Sequence, residues 1–240
     1  MSAFEERFIR TEMLLSKEGL DRLSSAKAAV CGLGGVGSYA AEALARSGVG
    51  SLIIIDCDTV DCSNINRQIP ALCSTVGKDK TEVMKQRILD INPDIRLTAL
   101  NLFISPESNP EIFSGCDYII DAVDNVAAKL WLAETAQKLN IPIISAMGCG
   151  NKLDPSRLEI ADISKTSVCP LCRVMRRELR LRGIDRLTVV YSKETPIKPV
   201  ESGELKGGRP APSSMIFVPA SAGILMAQKV VCDISKIQLR

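Results

Sequence analysis

The 240-residue sequence contains no histidine. This absence excludes imidazole general bases, Ser-His-Asp and Cys-His triads, and metal sites with histidine ligands. An excess of charge of one sign is also missing, because 30 Lys and Arg residues face 28 Asp and Glu residues. A net charge of +2 creates no strong overall field, so any affinity for nucleic acid must come from a local basic cluster. Chemistry must therefore rely on carboxylates, Arg, Lys, Cys or a bound metal.

Long apolar segments are absent as well. The first seven residues contain no apolar run of the kind found in a secretory signal, so we expect a cytoplasmic protein whose nine cysteines are reduced. The most apolar stretch, 215–227, has thirteen residues and includes Pro219. Because a bilayer-spanning helix needs about 20 apolar residues, we predict a buried helix here and no membrane partner.

The segment 27–146 alternates β-branched runs with helix-length amphipathic segments. Continuous apolar strands separated by helices indicate a parallel sheet covered on both faces. The sequence thus predicts an α/β fold with a doubly wound, mostly parallel sheet. The predicted strands are 28–31, 52–56, 95–100, 118–121 and 141–145, and the predicted helices are 36–47, 78–91 and 126–139.

After residue 150 the pattern changes. We predict a strand at 158–163, an arginine-rich helix, a strand at 187–191 and an apolar helix at 219–233. The segment 193–212 has four Pro and three Gly residues, which predicts a loop or lid. We interpret 151–240 as a C-terminal extension of the same sheet. The whole chain, 1–240, is then one domain with an N-terminal helical segment (1–26) and a nucleotide-binding core (27–150).

The first predicted strand runs into a G-x-G-x-x-G motif formed by Gly32, Gly34 and Gly37. The first glycine permits a tight turn, the second lets the backbone approach a phosphate, and the third lets the helix pack on the strand. Asp56 ends the second predicted strand, where its carboxylate can accept hydrogen bonds from ribose hydroxyls. This order of elements predicts a Rossmann-like nucleotide site.

The following residues indicate which nucleotide binds. ATP that loses pyrophosphate needs cations on its phosphates and usually Mg²⁺. Arg67 and Lys80 can supply the cations, and Asp124, after the fourth strand, can be a Mg²⁺ ligand. Each could be a surface charge by itself, but together they favour ATP. An NAD-dependent oxidoreductase, the alternative, would use only the glycine turn and Asp56.

Taken together, these motifs resemble the ubiquitin-activating superfamily that includes the bacterial ThiF, MoeB and HesA proteins. The resemblance covers residues 5–150 and implies adenylation of a carboxylate with release of pyrophosphate. Its motifs are Gly32-x-Gly34-Gly35-x-Gly37, Asp56-x-Asp58, Ser63-Asn64-x-Asn66-Arg67-Gln68, Gly77-Lys78-x-Lys80 and Asp124-Asn125. The ATP-binding residues it implies are Gly32, Gly34, Gly35, Gly37, Asp56, Ser63, Asn64, Asn66, Arg67, Lys80, Asp124 and Asn125.

The same resemblance implies roles for individual side chains. Arg67 and Lys80 would contact phosphates, and Asp124 would bind Mg²⁺. Arg10 lies in an N-terminal segment similar to the one whose arginine reaches the ATP of a neighbouring subunit in that superfamily. Arg10, Arg67, Lys80 and Asp124 are therefore the expected catalytic residues, and a homodimer is the expected assembly.

The predicted arginine-rich helix indicates a phosphate-binding surface. Four arginines at i, i+3, i+4 and i+7 share one face, which suits RNA. The alternative is a solvated or dimer-facing helix. The arginines are Arg173, Arg176, Arg177 and Arg180, and the apolar residues predicted for the opposite face are Leu171, Val174, Met175 and Leu179.

The segments 162–166, 170–180, 190–194 and 217–223 resemble the tRNA threonylcarbamoyladenosine dehydratase branch of the superfamily. This resemblance implies adenylation of the threonyl carboxylate of a modified adenosine at position 37 of tRNA, followed by ring closure and release of AMP. It implies ATP and Mg²⁺ as cofactors and tRNA, a second copy and possible sulfur-transfer proteins as partners. Because 207–212 contains no cysteine, a cysteine-linked intermediate is not carried over.

Two alternatives share some of these residues. An activating enzyme for a ubiquitin-like sulfur carrier would use the same adenylation residues, and its relatives commonly hold zinc with two Cys-x-x-Cys pairs. Here only Cys169 and Cys172 form such a pair, so we predict two semi-buried thiols at a helix start. The other alternative is a non-catalytic tRNA-binding module. For ring closure, Asp121 and Asp124 are the nearest carboxylates that could accept a proton.

Overall fold

The computed structural model describes residues 3–198, 205–206, 209–210 and 212–238. Helices and strands alternate through most of this range, as the periodicity predicts. The helices are α1 (Ala3–Ser25), α2 (Gly37–Ser47), α3 (Lys80–Ile91), α4 (Val126–Leu139), α5 (Pro170–Leu181) and α6 (Phe217–Ser235). The strands are β1 (Lys27–Cys31), β2 (Ser51–Asp56), β3 (Arg96–Asn101), β4 (Tyr118–Asp121), β5 (Ile143–Ala146), β6 (Leu158–Asp162), β7 (Thr188–Ser192), β8 (Leu205–Lys206) and β9 (Arg209–Pro210).

Seven strands form one sheet in the order β3-β2-β1-β4-β5-β7-β6. All neighbours are parallel except β6, which runs antiparallel to β7. The predicted doubly wound, mostly parallel sheet is therefore confirmed, and β6 and β7 extend it beyond β5. Cys31, the last residue of β1, lies between Ile55 of β2 and Asp121 of β4. Ligands bind at such a point, where the strand order reverses.

Both faces of the sheet are covered because β1 and β2 are apolar on both sides. Ala28 and Val30 pack in the same core as residues of α2 and α6, whereas Ala29 and Cys31 pack in the core that contains α4. A third core joins α5 to β7. These layers leave the carboxyl edge of the central strands as the accessible part of the sheet.

Helix α6 is longer than predicted. It has 19 residues and is long and apolar enough, by length and composition, to span a membrane, so the length argument made for 215–227 is wrong. One of its faces packs inside the protein instead: a Cβ on Gly223 would lie 2.2 Å from the Val36 carbonyl oxygen at the start of α2. Near its end, Asp233 accepts a 3.0 Å hydrogen bond from the Tyr118 hydroxyl.

Two further predictions need correction. In α5 the buried face consists of Cys172, Met175 and Leu179, whereas Val174 is 41% exposed, because a helix turns by about 100° per residue. The segment predicted as a loop, 193–212, contains the paired strands β8 and β9. Its residues 199–204, 207–208 and 211 lie outside the described residues.

An ion pair is buried between β4 and α4. Lys129 and Asp121 are each only 1% exposed, and the Lys129 Nζ lies 3.1 Å from both carboxylate oxygens of Asp121. The Ser145 hydroxyl on β5 donates to the same carboxylate, as does the Val123 amide at 3.2 Å. This network ties β4, β5 and α4 together directly below the loop that carries Asp124.

Replacement of Lys129 by Met should strongly destabilise the fold. It leaves the Asp121 carboxylate buried without its cation, which costs about 3–5 kcal/mol of unfolding free energy. Urea denaturation measures this loss. The double variant Lys129→Met with Asp121→Asn should recover part of it, because the amide needs no counter-ion. Lys138→Met, at an exposed position of α4, is the control, and equal stability of the two single variants would contradict the prediction.

A second ion pair joins α2 to α3. Glu42 accepts hydrogen bonds from Arg87 of α3 and from Arg46 one turn further along α2. Partial burial would raise the pKa of Glu42, but the bonds from Arg87 and Arg46 outweigh it and lower the pKa below its usual value. The ionised carboxylate therefore stabilises the contact between these helices.

The Glu42 contribution should depend on pH. Because the folded-state pKa is lowered, the stabilisation is present above the unfolded pKa of about 4.3 and is lost as the pH falls through the folded value. Glu42→Gln should therefore lower the urea midpoint at pH 7 and differ less from the parent protein below pH 4. Glu82→Gln, whose nearest cation is Lys85 at 3.9 Å, is the control. A constant difference at both pH values would refute this account.

Candidate active site

A cleft of about 590 Å³ opens at the carboxyl edge of the sheet. Its walls come from the loops that follow β1, β2, β3, β4 and β5 and from the start of α6. Predicted ATP-binding residues found in its lining are Gly32, Gly34, Gly35, Asp56, Asn64, Arg67, Lys80, Asp124 and Asn125. The structure thus brings together nine of the residues that the sequence motifs single out.

The glycine turn between β1 and α2 has the shape that a phosphate site requires. Gly32 has a φ of 88°, and a Cβ there would lie 2.7 Å from the Ala122 carbonyl oxygen. A Cβ on Gly37 would lie 1.8 Å from the Gly32 carbonyl oxygen, so Gly37 serves packing and does not line the cleft. Gly34 has no neighbouring atom closer than 3.9 Å to such a Cβ. Space for a ligand therefore adjoins Gly34.

No side chain caps the N-terminus of α2, which begins at this turn. The first amides of a helix lack intrahelical partners, and the helix dipole adds partial positive charge. The Ser38 amide already donates to the Gly34 carbonyl oxygen at 3.2 Å, so an anion at this end would accept hydrogen bonds from the other amides of the first turn. The turn and the helix start together favour a phosphate group.

Asp56 stands at the end of β2, facing the glycine turn. Its two carboxylate oxygens accept hydrogen bonds from the Leu33 amide at 2.5 Å and from the Asp58 amide at 2.8 Å. Each oxygen has a second acceptor position. The carboxylate is thus held in place by the backbone and can still accept from hydroxyl groups in the cleft.

The cationic side of the cleft is held by neighbouring side chains. The buried Lys80 Nζ lies 2.8 Å from the Asp58 carboxylate, whose own side chain is exposed. Arg67 donates to the Ser63 carbonyl and to the Asn66 side chain, both at 2.8 Å. Ser63 and Asn66, predicted to bind ATP, lie outside the cleft lining and hold Arg67 instead.

The loop after β4 supplies the remaining predicted residues. Asp124 is exposed at the cleft, and Asn125 caps α4 by accepting a 3.1 Å hydrogen bond from the Ala128 amide. Carboxylate oxygens are the ligands that Mg²⁺ prefers, and Asp124 shares the cleft with Asp56 and Asp58. The donor set therefore fits a magnesium ion.

Asp121, proposed as a proton acceptor from the sequence, does not fit that role. Its carboxylate is buried and already accepts hydrogen bonds from Lys129, Ser145 and Val123. It also lies outside the cleft lining. Among the two carboxylates considered, only Asp124 faces the space that a substrate would enter.

The sequence analysis did not assign several residues of the cleft to the site, and three of them bear on ligand binding. Lys129, Gln68 and Phe103 all contribute to its lining, and Phe103 is 60% exposed. Phe103 follows β3, whose end adjoins that of β2, so strand order could have placed it near Asp56. Gln68 was quoted only as part of a motif. For Lys129 a single sequence gives no signal, because lysine is usually exposed.

The remaining predicted residues lie elsewhere. Arg10 is exposed on α1 and does not line the cleft of its own chain. On α5, Arg173 and Arg180 are exposed, and Arg177 is paired with the neighbouring Glu178. Arg176 instead donates to the carbonyl oxygens of Ile163 and Thr166. The exposed arginine surface is therefore smaller than the predicted stripe of four residues.

Comparisons with known proteins identify the family of the chain. The ThiF family matches residues 8–238. The chain is 46% identical to the tRNA threonylcarbamoyladenosine dehydratase of Bacillus subtilis, over 96% of this chain and 95% of that protein. It resembles the crystal structure of the Escherichia coli enzyme of that name in complex with ATP, with a TM-score of 0.89 and 33% identity over 98% of this chain and 96% of that one.

A relative of the alternative class matches less of the sequence. The sulfur carrier protein ThiS adenylyltransferase of Escherichia coli is 36% identical over 58% of this chain and 56% of that protein. The match to the Bacillus subtilis dehydratase, in contrast, covers 96% of this chain and so includes the C-terminal extension as well as the nucleotide-binding core. The chain therefore belongs to the ThiF family and, within it, to the tRNA threonylcarbamoyladenosine dehydratases.

Proposed function

We propose that this protein is an ATP-dependent tRNA threonylcarbamoyladenosine dehydratase. It adenylates the carboxylate of N6-threonylcarbamoyladenosine at position 37 of tRNA and closes a ring with release of AMP. The observation that carries this proposal is the cleft in which the glycine turn, Asp56, Arg67, Lys80 and Asp124 meet. End-to-end similarity to proteins named for this reaction supports the choice of substrate.

In this proposal the cleft binds ATP through groups that are already oriented. The glycine turn and the amides of α2 face the phosphates, and Asp56 accepts hydrogen bonds from the ribose. Phe103, a largely exposed aromatic ring in the cleft lining, offers a face on which adenine can stack. Arg67 and Lys80 stabilise the negative charge that grows on pyrophosphate as the substrate carboxylate attacks the α-phosphate.

Lys80 can serve ATP without leaving Asp58. An ammonium group has three N–H donors, and the described ion pair with Asp58 uses one of them. Magnesium would be held by Asp124 and would supply further neutralisation of the phosphates. Arg67 keeps its hydrogen bonds to Ser63 and Asn66 through one nitrogen, which leaves the rest of its guanidinium for phosphate oxygens.

Ring closure follows without a thiol nucleophile. The ureido group is attached to the activated carboxylate, so its attack is intramolecular and benefits from a high effective concentration. AMP leaves as the ring forms. The ureido proton passes to Asp124, to a phosphate oxygen or to water, since Asp121 is buried against Lys129.

The proposal extends to assembly and location. We infer a homodimer in which Arg10 of each protomer reaches the nucleotide of the other, because the N-terminal segment resembles the one that does so in the superfamily; Arg10 does not line the cleft of its own chain. Residues 1–240 act as one adenylation domain with its nucleotide-binding core at 27–150. Cytoplasmic tRNA is the expected substrate, and sulfur-transfer proteins are further expected partners by resemblance alone.

The decisive assay is mass spectrometry of nucleosides from threonylcarbamoyl-modified tRNA incubated with protein, ATP and Mg²⁺. We expect the modified nucleoside to lose the mass of one water and AMP to accumulate. Pyrophosphate exchange stimulated by a carrier protein ending in Gly-Gly, with the nucleoside unchanged, would establish the sulfur-carrier alternative and reject the proposal.

Arg67→Ala should lower turnover of modified tRNA by about 10²–10³-fold, because loss of one preorganised donor to developing charge has an effect of this size. The fold should persist, since the Arg67 side chain is only partly buried and its described hydrogen bonds involve only Ser63 and Asn66. Turnover and the urea midpoint are measured together. Arg157→Ala, at an exposed position paired only with Asp154, is the control. Turnover within a few-fold of the parent protein would remove Arg67 from the mechanism.

Replacement of Arg173, Arg177 and Arg180 by Gln should weaken tRNA binding and reduce the slope of log affinity against log salt by about one unit for each lost phosphate contact. Their exposure on α5 is the reason for this choice, whereas Arg176 is engaged with backbone carbonyls. Filter binding at several salt concentrations measures both quantities. A charge-matched control replaces the exposed residues Lys17, Arg22 and Lys138. Equal slopes for both triple variants would show that α5 does not bind tRNA.

A further inference from the structure

Two cysteines that the proposed reaction does not use lie at the start of α5. Cys169 is the N-cap of the helix, Pro170 and Leu171 follow, and Cys172 is the third helical residue. Side chains three residues apart on a helix have Cβ atoms about 5–6 Å apart. A disulfide needs Cβ atoms about 3.5–4.5 Å apart, so the two Cβ atoms must move closer together by about 1–2 Å when the bond forms.

The two sulfur atoms are in unequal surroundings. Cys172 donates a hydrogen bond from its thiol to the Cys169 sulfur, and this bond, together with those from the Cys172 and Gly148 amides and the charge of Lys152, lowers the pKa of Cys169. Donation of its hydrogen and burial raise the pKa of Cys172. Both side chains are buried, and the pair combines a thiolate at a helix N-terminus with a thiol that holds it, as in reactive Cys-x-x-Cys motifs.

Other cysteines of the protein contrast with this pair. Burial raises the pKa of Cys31 well above its usual value and raises that of Cys149 to about 11. Such thiols behave as small apolar residues. The low pKa of Cys169 comes from its hydrogen-bond donors and its place at the start of α5, and it is not shared by these two buried cysteines.

A metal site is a poor account of the pair. Across the described residues, the only group of three metal-ligating side chains is Asp56, Cys57 and Asp58, in a different part of the fold. The sequence has no histidine to complete a site. Two thiolates alone do not satisfy the four-coordinate preference of zinc.

The pair adjoins the nucleotide cleft. The Cys169 sulfur lies 3.6 Å from the position that a Cβ on Gly148 would occupy, and Gly148 lines the cleft. Leu171, between the two cysteines, also lines it. The preceding residue, Val168, has a φ of 62°, which a β-branched residue rarely adopts. The backbone immediately before Cys169 is therefore strained. A change in the distance between the two sulfurs would therefore shift Gly148 and Leu171, which line the cleft.

We propose that Cys169 and Cys172 form a reversible dithiol–disulfide site, oxidised by peroxide, whose state alters nucleotide binding in the adjoining cleft. The disulfide chemistry is independent of the function proposed above, whereas the effect on ATP rests on it. Cys169 is the attacking thiol and Cys172 the resolving one. Because both thiols are buried and Cys169 does not line the cleft, the proposal requires hydrogen peroxide to enter beside Gly148, the cleft residue that adjoins the Cys169 sulfur.

The reaction balances with one molecule of hydrogen peroxide. The Cys169 thiolate attacks a peroxide oxygen, the O–O bond breaks, and the hydroxide that leaves takes a proton to become water. The Cys172 sulfur then attacks the sulfenic acid formed on Cys169, and a second hydroxide leaves with the remaining thiol proton. The two thiols lose two electrons and two protons in total, and peroxide is reduced to two waters.

The test uses the full chain. Reduced protein is freed of reductant, treated with hydrogen peroxide, denatured and alkylated, and its peptides are mapped by mass spectrometry. We expect the peptide that carries Cys169 and Cys172 to lose two hydrogens, to escape alkylation and to recover both thiols with dithiothreitol. The exposed Cys73 should remain open to alkylation. Free Cys169 and Cys172 after peroxide, or a disulfide from either to Cys149, would overturn the proposal.

Calorimetric titration with ATP then compares the reduced and oxidised forms. We expect affinity about fivefold or more weaker in the oxidised form, the lower end of typical coupling between sites. Equal affinities would refute the coupling, while failure of the reduced protein to bind ATP would refute the proposed function and leave the disulfide result standing.

Two variants complete the design. Cys172→Ser should make ATP binding insensitive to peroxide and leave a sulfenic acid on Cys169 that dimedone traps. The exposed Cys73→Ser is the matched control and should behave like the parent protein. Should Cys172→Ser not fold, the peptide map of the unaltered chain decides the question without it. Peroxide sensitivity that persists in a folded Cys172→Ser protein would exclude this pair as the cause.

Discussion

The cleft depends on a close backbone approach between the β1–α2 turn and the end of β4. Nothing larger than hydrogen fits at Gly32 or Gly37, where an added Cβ would meet the Ala122 and Gly32 carbonyl oxygens at 2.7 and 1.8 Å. Because these glycines let the backbones touch, the loop that carries Asp124 adjoins the N-terminus of α2. A carboxylate and a phosphate-binding helix end thus share one space. The rest of the site is arranged around this contact.

The charged groups of the cleft are held before any ligand arrives. Asp56 is fixed by two backbone amides, Lys80 by Asp58, and Arg67 by Ser63 and Asn66. A group that is already oriented loses little freedom when a phosphate binds, so more of its interaction energy is available to the reaction. Below them, the Lys129–Asp121 pair fixes the base of the loop that carries Asp124. The Lys129–Asp121 pair therefore stabilises the fold and also positions the loop of the proposed active site.

Local patterns predicted the elements of the fold well, and side-chain partners less well. The bounds of α4, the glycine turn and the positions of the first five strands along the chain follow from periodicity and short motifs, which neighbouring residues determine. The Lys129–Asp121 pair, the support of Arg67 by Asn66 and the exposure of Val174 depend on which elements pack together. The length of α6 was missed for the same reason, since its apolar face is defined by contact with α2. Sequence alone could not supply these contacts.

The absence of histidine is consistent with the chemistry proposed for the site. A substrate carboxylate is already ionised at neutral pH and needs no imidazole base to become a nucleophile. The barrier lies in the charge of the triphosphate, for which a guanidinium group is well suited because it is always charged and its planar set of donors matches phosphate oxygens. Ring closure releases a proton only after the carboxylate is activated, when phosphate oxygens and Asp124 are close to the reacting atoms. The proposed chemistry can therefore use one cleft for both steps without an imidazole.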